Sequence, residues 1–282
     1  AVEIEWFDAH LKKILDHLEQ LGELDNTLVI VTADNGMPFP RAKAQSYEYG
    51  IHVPMAMRYP KEIPAGTICE TPIGFIDLAP TILAFAGIEP KQMQPITGNN
   101  VWEIITGKAE DFEKALFSGR ERHSSSRYKN YGYPQRAIRK GNHLLIWNVT
   151  PEREPSGAPY AFVKGDTTQL RPNLIYGDID GGPTKSFLDD NIENPKISKF
   201  LDLAVKERPE LELYNVEADP ACVKDLAGVP GYSEIEQSLK SQLFAELKRS
   251  EDPRVSKDNF NIFDSYIRYS GMREFPKPDY ID

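Results

Sequence analysis

Asp34 and Asn35 stand side by side at the end of an apolar, β-branched run, in the stretch VIVTADNGMPFPRAKAQSYEYGIHVP (residues 29–54). An ionised carboxylate and an amide oxygen are both hard donors, suited to Ca²⁺, or less well Mg²⁺, rather than to a soft metal. Gly36 would let the backbone turn sharply behind them. Asp-Asn-Gly after a strand is equally an ordinary turn sequence, and the triplet alone leaves both readings open. Further along the same loop, Lys43 could present a point charge to an anion held by the metal, or simply be solvated. Glu48 could support such a site or be a surface acid, and His52, before Val53-Pro54, reads as a packed histidine.

A second concentration of chemistry lies at residues 120–140. Arg120, Arg122, Arg127, Lys129, Arg136, Arg139 and Lys140 face a single acid, Glu121, inside a chain of net charge −10. The guanidinium fork suits the paired oxygens of a sulfate, and the interleaved Tyr128, Tyr131 and Tyr133 suit the apolar faces of sugar rings. The alternative is a basic face balanced by acidic neighbours. The global negative charge opposes nucleic acid as a partner. No run approaches the roughly 18 apolar residues of a membrane span. Cys69 and Cys222 fit neither a zinc pattern nor a dense disulfide scaffold, so two free thiols are expected. The opening AVEIEWFDAHLKK has no signal-peptide features and no initiator Met, which suggests processing, cloning or truncation.

Periodic elements must position these residues. Val2, Ile4, Phe7, Leu11, Ile14, Leu15, Leu18 and Leu21 recur at helical spacing and predict a helix over about 2–21, with Gly22 as C-cap. TLVIVT (27–32) predicts a strand buried on both faces, and helix, turn and strand together predict an α/β unit with a parallel sheet. Short strands are expected at 54–60 and 115–119, a buried helix capped by Asp77 at 76–87, and a helical turn at 101–107. PQRAIRKGNHLLIWNV predicts a hairpin about Lys140-Gly141-Asn142. Residues 151–197, with PEREPSGAP and GDIDGGPTK, form a long irregular segment of the kind kept for function or for packing over a surface. A strand follows at 211–216, then an amphipathic helix at 233–249 capped by Ser233 with Glu236. The Asn148-Val-Thr sequon carries no weight by itself. We place a domain boundary at 130, dividing residues 1–130 from 131–282.

The run LDNTLVIVTADNGMPFPRAKAQSYEYGIHVPMAMRYP resembles the metal-site loop of type I sulfatases, in the alkaline-phosphatase superfamily. The resemblance implies that Asp34 and Asn35 ligate Ca²⁺ and that Lys43, four residues before Tyr47-Glu48, contacts the sulfate as a catalytic residue. IGFIDLAPTILAFAGIEP, YPQRAIRKGNHLLIWN and LELYNVEADPACVKDLA resemble later landmarks of the family, in the family's order, up to about residue 250. Met-Pro-Phe-Pro after Asp-Asn-Gly and the segment GRERH resemble the heparan N-sulfatase (sulfoglucosamine sulfohydrolase) branch, which implies that His123, with Arg120 and Arg122, faces substrate. The implied fold is part of an alkaline-phosphatase-like α/β sandwich, followed by a smaller C-terminal α+β subdomain with an antiparallel sheet.

The family's nucleophile, a formylglycine made within C/S-x-P-S-R, has no counterpart here, since Cys69 stands in CETP and Cys222 in CVKDL. The resemblance therefore implies the second half of a sulfatase, inactive alone, whose partners are the N-terminal half and a sulfated glycan. Members of the family are mostly exported, to the periplasm, the lysosome or outside. Two rivals remain: a phosphodiesterase or phosphonate monoester hydrolase of the same superfamily, and a non-catalytic glycan-binding module.

Overall fold

The computed structural model describes residues 2–89, 95–109, 114–171 and 176–281. Contacts group the chain into two units, Ala1–Ala33 with Pro54–Lys114, and Asp34–Val53 with Ala115–Asp282. The antiparallel sheet of the second unit already includes a strand at Leu116–Arg120, ahead of residue 130.

In the first unit the periodic N-terminal run forms helix α1, Val2–Gln20. None of its residues is buried, and Ile4, Trp6 and Phe7 are exposed. Strand β1, Val29–Thr32, is half-buried and pairs with β2, Met55–Arg58. The pairing is antiparallel, with Thr32 opposite Met55, where the sequence led us to expect a parallel sheet buried on both faces. The direction is set by where the chain returns after the 33–54 loop: the Pro54 carbonyl accepts from Thr32 Oγ1 at 2.8 Å, so β2 starts beside the end of β1 and runs the opposite way.

The Phe-Ile-Asp turn at Phe75–Asp77 leads into α3, Leu78–Phe85. Asp77 is wholly buried, accepting from Gly74 N and Asn99 N (both 2.9 Å) and pairing with Lys114. The helix itself is not the buried one expected, since only Thr81 is buried. Its packing is one-sided: Phe85 stacks between Tyr59 and Trp102 of α4, Trp102–Ile105.

The second unit is built on a four-stranded antiparallel sheet in the order β3-β4-β5-β8, comprising Leu116–Arg120, Gln135–Lys140, His143–Asn148 and Leu211–Asn215. Lys140 lies opposite His143 across the predicted Gly141-Asn142 turn. Strand alternation gives the sheet two apolar faces. Ile138, Leu145, Trp147 and Leu213 pack with Leu239, Leu243 and Leu247 of helix α7, Ser233–Arg249. Ser233 is not its cap: Pro230–Tyr232 forms a helical turn that leads straight in, and Glu236 instead accepts from Gly228 N at 2.8 Å. On the other face Ala137, Leu144, Ile146 and Tyr214 pack with Tyr47 and Cys222. Neither cysteine forms a disulfide among the described residues. The long irregular segment contains a small ribbon, β6 (Ala161–Val163) with β7 (Asp166–Arg171), and two helices, α5 (Pro183–Asp190) and α6 (Pro195–Val205).

Candidate functional site

The loop that follows β1 belongs to the second unit, and close backbone approach shapes it. Gly36 N donates to Gly50 O at 3.2 Å, and a Cβ on Gly36 would lie 2.1 Å from Tyr49 O. Gly50 is as tightly placed, 2.2 Å from Gln45 O by the same measure. Only glycine fits at either contact, which gives the Asp-Asn-Gly sequence a packing reason as well as a turn reason. Lys43 N donates to Met37 O at 3.0 Å, and Arg41 and Ala44 on either side hold positive φ (63° each). Glu48 opens a single helical turn, α2, Glu48–Ile51.

Side chains lock this loop to the sheet. Tyr47, 1% exposed, donates to Glu212 Oε2 at 2.8 Å; Tyr214 donates to the same oxygen at 2.5 Å, and Asn148 Nδ2 donates to Oε1 at 2.7 Å. Burial, with the neighbouring Glu212 carboxylate, raises the pKa of both tyrosines, which therefore stay neutral donors. The guanidinium of Arg41 lies 3.8 Å from the Tyr47 ring centroid, that of Arg208 lies 4.9 Å away, and Arg208 donates to Gln45 Oε1 at 2.9 Å. Gln135 joins Ser46 N to Asn148 Oδ1. Asn148, the residue of the sequon, is thus wholly buried and engaged. A buried hydrogen-bond network of this kind rigidifies what it holds, here the backbone on either side of Lys43.

Lys43 Nζ lies 3.0 Å from Asp180 Oδ2, and His123 Nε2 lies 3.8 Å from Asp180 Oδ1. Two residues singled out in the sequence, from loops 80 positions apart, thus meet on a third that was not. All three side chains are about one-third exposed, open to a ligand. The GRERHSSSR segment behind His123 is fixed by Asp178, whose side chain is wholly buried. Its Oδ1 accepts from Ser124 N (3.1 Å), Ser124 Oγ (2.9 Å) and Ser126 Oγ (2.8 Å), and its Oδ2 pairs with Arg127 Nη2 at 2.8 Å and Arg120 Nη2 at 3.6 Å. Burial by itself would raise the Asp178 carboxyl, but Arg127 and Arg120 outweigh it and hold the pKa down at about 2.

The remaining expected site residues divide in two. Asp34 is exposed and makes no hydrogen bond or ion pair among the described residues, and Asn35 donates its amide N–H to Gly36 O at 2.9 Å, which leaves the amide oxygen as an acceptor. Arg120, by contrast, points inward, donating to the carbonyls of Tyr133 (2.9 Å), Pro155 (2.8 Å) and Ala44. Arg122 donates to Phe263 O at 2.9 Å, and burial lowers its pKa. Much of the basic run is matched by acids: Arg136 by the run's own Glu121 and by the distant Asp252, Arg139 by Glu48. Tyr133 is wholly buried and Tyr131 lies beneath Arg153, so these rings are not the open sugar platform expected. His52 is exposed rather than packed, 2.9 Å from the buried Glu48. Among the described residues no group of three or more His, Cys, Asp or Glu is placed to hold a metal ion.

Asp180 and Asp178 were missed as site residues. The available signal was GDIDGG, where alternate carboxylates on an irregular segment face opposite ways, one into the protein and one out.

The fold is shared with solved sulfatases of the alkaline-phosphatase-like class. BT4656, solved in complex with its substrate D-glucosamine-2-N,6-O-disulfate, superposes with a TM-score of 0.58 at 23% identity, over 89% of this chain and 40% of that one. The Sulfatase family model matches residues 2–88. An Ulvan-active sulfatase of Formosa agariphila is 25% identical over 84% of this chain and 35% of its own length. Human N-sulphoglucosamine sulphohydrolase is 26% identical over 86% of this chain and 45% of its own. Over its first part the chain is similar to the Sulfatase family, and over most of its length to individual sulfatases. It spans less than half the length of these relatives.

Proposed function

We propose that this chain is the second half of a formylglycine-dependent sulfatase that hydrolyses sulfate esters or sulfamates on a sulfated carbohydrate, exported like other members of its family. The observation that carries this reading is the loop 34–43, where two oxygen donors with no protein partner among the described residues and a pinned lysine follow one strand, in the second unit that also brings His123 to the Lys43 partner. Among the described residues no helix is long and apolar enough to cross a membrane.

Asp34 and the Asn35 amide oxygen would hold Ca²⁺. Two hard donors fit part of a shell of six to eight oxygens, and the rest would come from outside this chain. Bound there, the cation would neutralise sulfate oxygens as charge develops on them, while the nucleophile would be the formylglycine of the other half. Lys43 contributes an ammonium held on a rigid loop, so little reorganisation is needed when a sulfate arrives. His123 contributes a ring nitrogen that can donate to a sulfate oxygen or to the sugar. Arg120 and Arg122 act at one remove: their carbonyl contacts brace the Ala44 end of the loop and the segment carrying His123. The sugar being cut is proposed from N-sulphoglucosamine sulphohydrolase, 26% identical, as a glucosamine carrying an N- or O-sulfate.

The test is sulfate release from glucosamine sulfates by the whole enzyme carrying this chain, with its formylglycine in place. We expect turnover that falls by a factor of about 100 or more in Lys43→Ala and in Asp34→Ala. Wild-type turnover in either variant would overturn the reading, as would sulfate release by the 282-residue chain alone.

A further inference from the structure

We propose that Asp180 is a positioning residue of this site, holding the Lys43 ammonium and the His123 imidazole in register for one sulfate group; the proposal rests on the sulfatase reading above. An ion pair between two side chains about one-third exposed would ordinarily contribute little and persist poorly. This one differs because both backbones are fixed. Lys43 is held by the glycine contacts and the Tyr47 network. Asp180 is held by its own segment: Asp178 is buried two residues before it, Ile179 is buried between them, and Ile179 N donates to Tyr176 O at 3.0 Å. Lys185 Nζ donates to the carbonyls of Tyr176 and Ile179, each at 3.2 Å, and closes the turn from the other side. Ser124 Oγ donates to Gly177 O at 3.0 Å, tying that turn to the segment carrying His123.

The carboxylate therefore joins three stretches that the chain keeps far apart: the loop after β1, the segment after β3 and the turn before α5. Lys has a long flexible stem and would sample many rotamers if left alone. A fixed acceptor at 3.0 Å restricts that search, and the cation is already oriented when an anion binds. Residues that orient a directly acting group in this way typically change activity by 10–100-fold when replaced.

Two readouts test the proposal. In the 282-residue chain, acetylation of Lys43 by acetic anhydride, followed by peptide mass spectrometry, should be about three or more times faster in Asp180→Asn than in wild type. Lys206, paired with Asp202, is the internal control and should not change. In the whole enzyme, Asp180→Asn should lower kcat/KM on a glucosamine sulfate by about 10–100-fold, with partial recovery in Asp180→Glu. In a background already carrying Lys43→Ala and His123→Ala, Asp180→Asn should add little further loss, because the carboxylate acts through these two side chains. Unchanged Lys43 reactivity, wild-type kcat/KM in Asp180→Asn, or a loss that multiplies in that background would each overturn the role of Asp180 while leaving Lys43 in place. A Lys43→Ala variant with wild-type turnover would instead remove the underlying sulfatase reading, and the proposal with it.

Discussion

Replacing Asp178 by Asn tests whether its buried charge anchors the segment that carries His123. The substitution is nearly isosteric and keeps the Oδ1 acceptor, so the hydrogen bonds from Ser124 and Ser126 survive. What disappears is one negative charge between Arg127 at 2.8 Å and Arg120 at 3.6 Å, with the aspartate side chain wholly buried. Removing one partner of a buried ion pair typically costs about 3–5 kcal/mol; the surviving hydrogen bonds put the expected loss near 3 kcal/mol at neutral pH. Part of that loss depends on pH. The folded pKa of about 2 lies below the ordinary value of 3.8, so the carboxylate contributes stability that is present above pH 4 and lost as pH falls through 2. That difference corresponds to roughly 2 kcal/mol. The Asn variant has no such contribution, and its deficit relative to wild type should shrink by roughly that amount between pH 5 and pH 2. Urea unfolding of the second unit, followed through the buried Trp147 in a background with Trp6 and Trp102 replaced by Phe, reads both numbers. A deficit that stays constant across that pH range, or no deficit at neutral pH, would refute the electrostatic argument.

Two further substitutions probe the loop. Gly36→Ala forces a methyl to within 2.1 Å of Tyr49 O, so the loop must open, at a cost of about 1–3 kcal/mol; tryptic cleavage after Arg41 and Lys43 should become faster than in wild type. Tyr47→Phe removes one of three donors to Glu212, which keeps Tyr214 and Asn148, and a loss of about 1–2 kcal/mol is expected in the same unfolding experiment.

Local pattern made much of the fold legible. The 3.6-residue period of α1 and the short apolar runs of β4, β5 and β8 depend only on neighbours along the chain, and these elements are where the sequence put them. The Gly141-Asn142 turn is similarly local, since a tight turn between alternating strands leaves one register. Strand direction is not local. Nothing in VIVT distinguishes a strand with a parallel neighbour from one whose partner returns after a long loop, and burial on both faces was inferred from composition alone. Capping of α7 failed for a related reason: Ser233 has the right residue type, but the turn before it is already helical.

The site divides along the same line. Asp34, Asn35 and Lys43 could be named from the sequence because they lie on one loop, a short distance apart, with residue types that speak for their chemistry. His123 could be named only by resemblance. Which cations face outward was beyond sequence reasoning, since Arg120 and Arg127 look like any loop arginines until Asp178, more than 50 residues on, takes them inward. Asp180 differs from Asp178 by two positions and carries the same side chain. Only the tertiary structure sends one carboxylate into the protein and the other toward Lys43 and His123, because the turn between them is fixed by buried Ile179 and by Lys185.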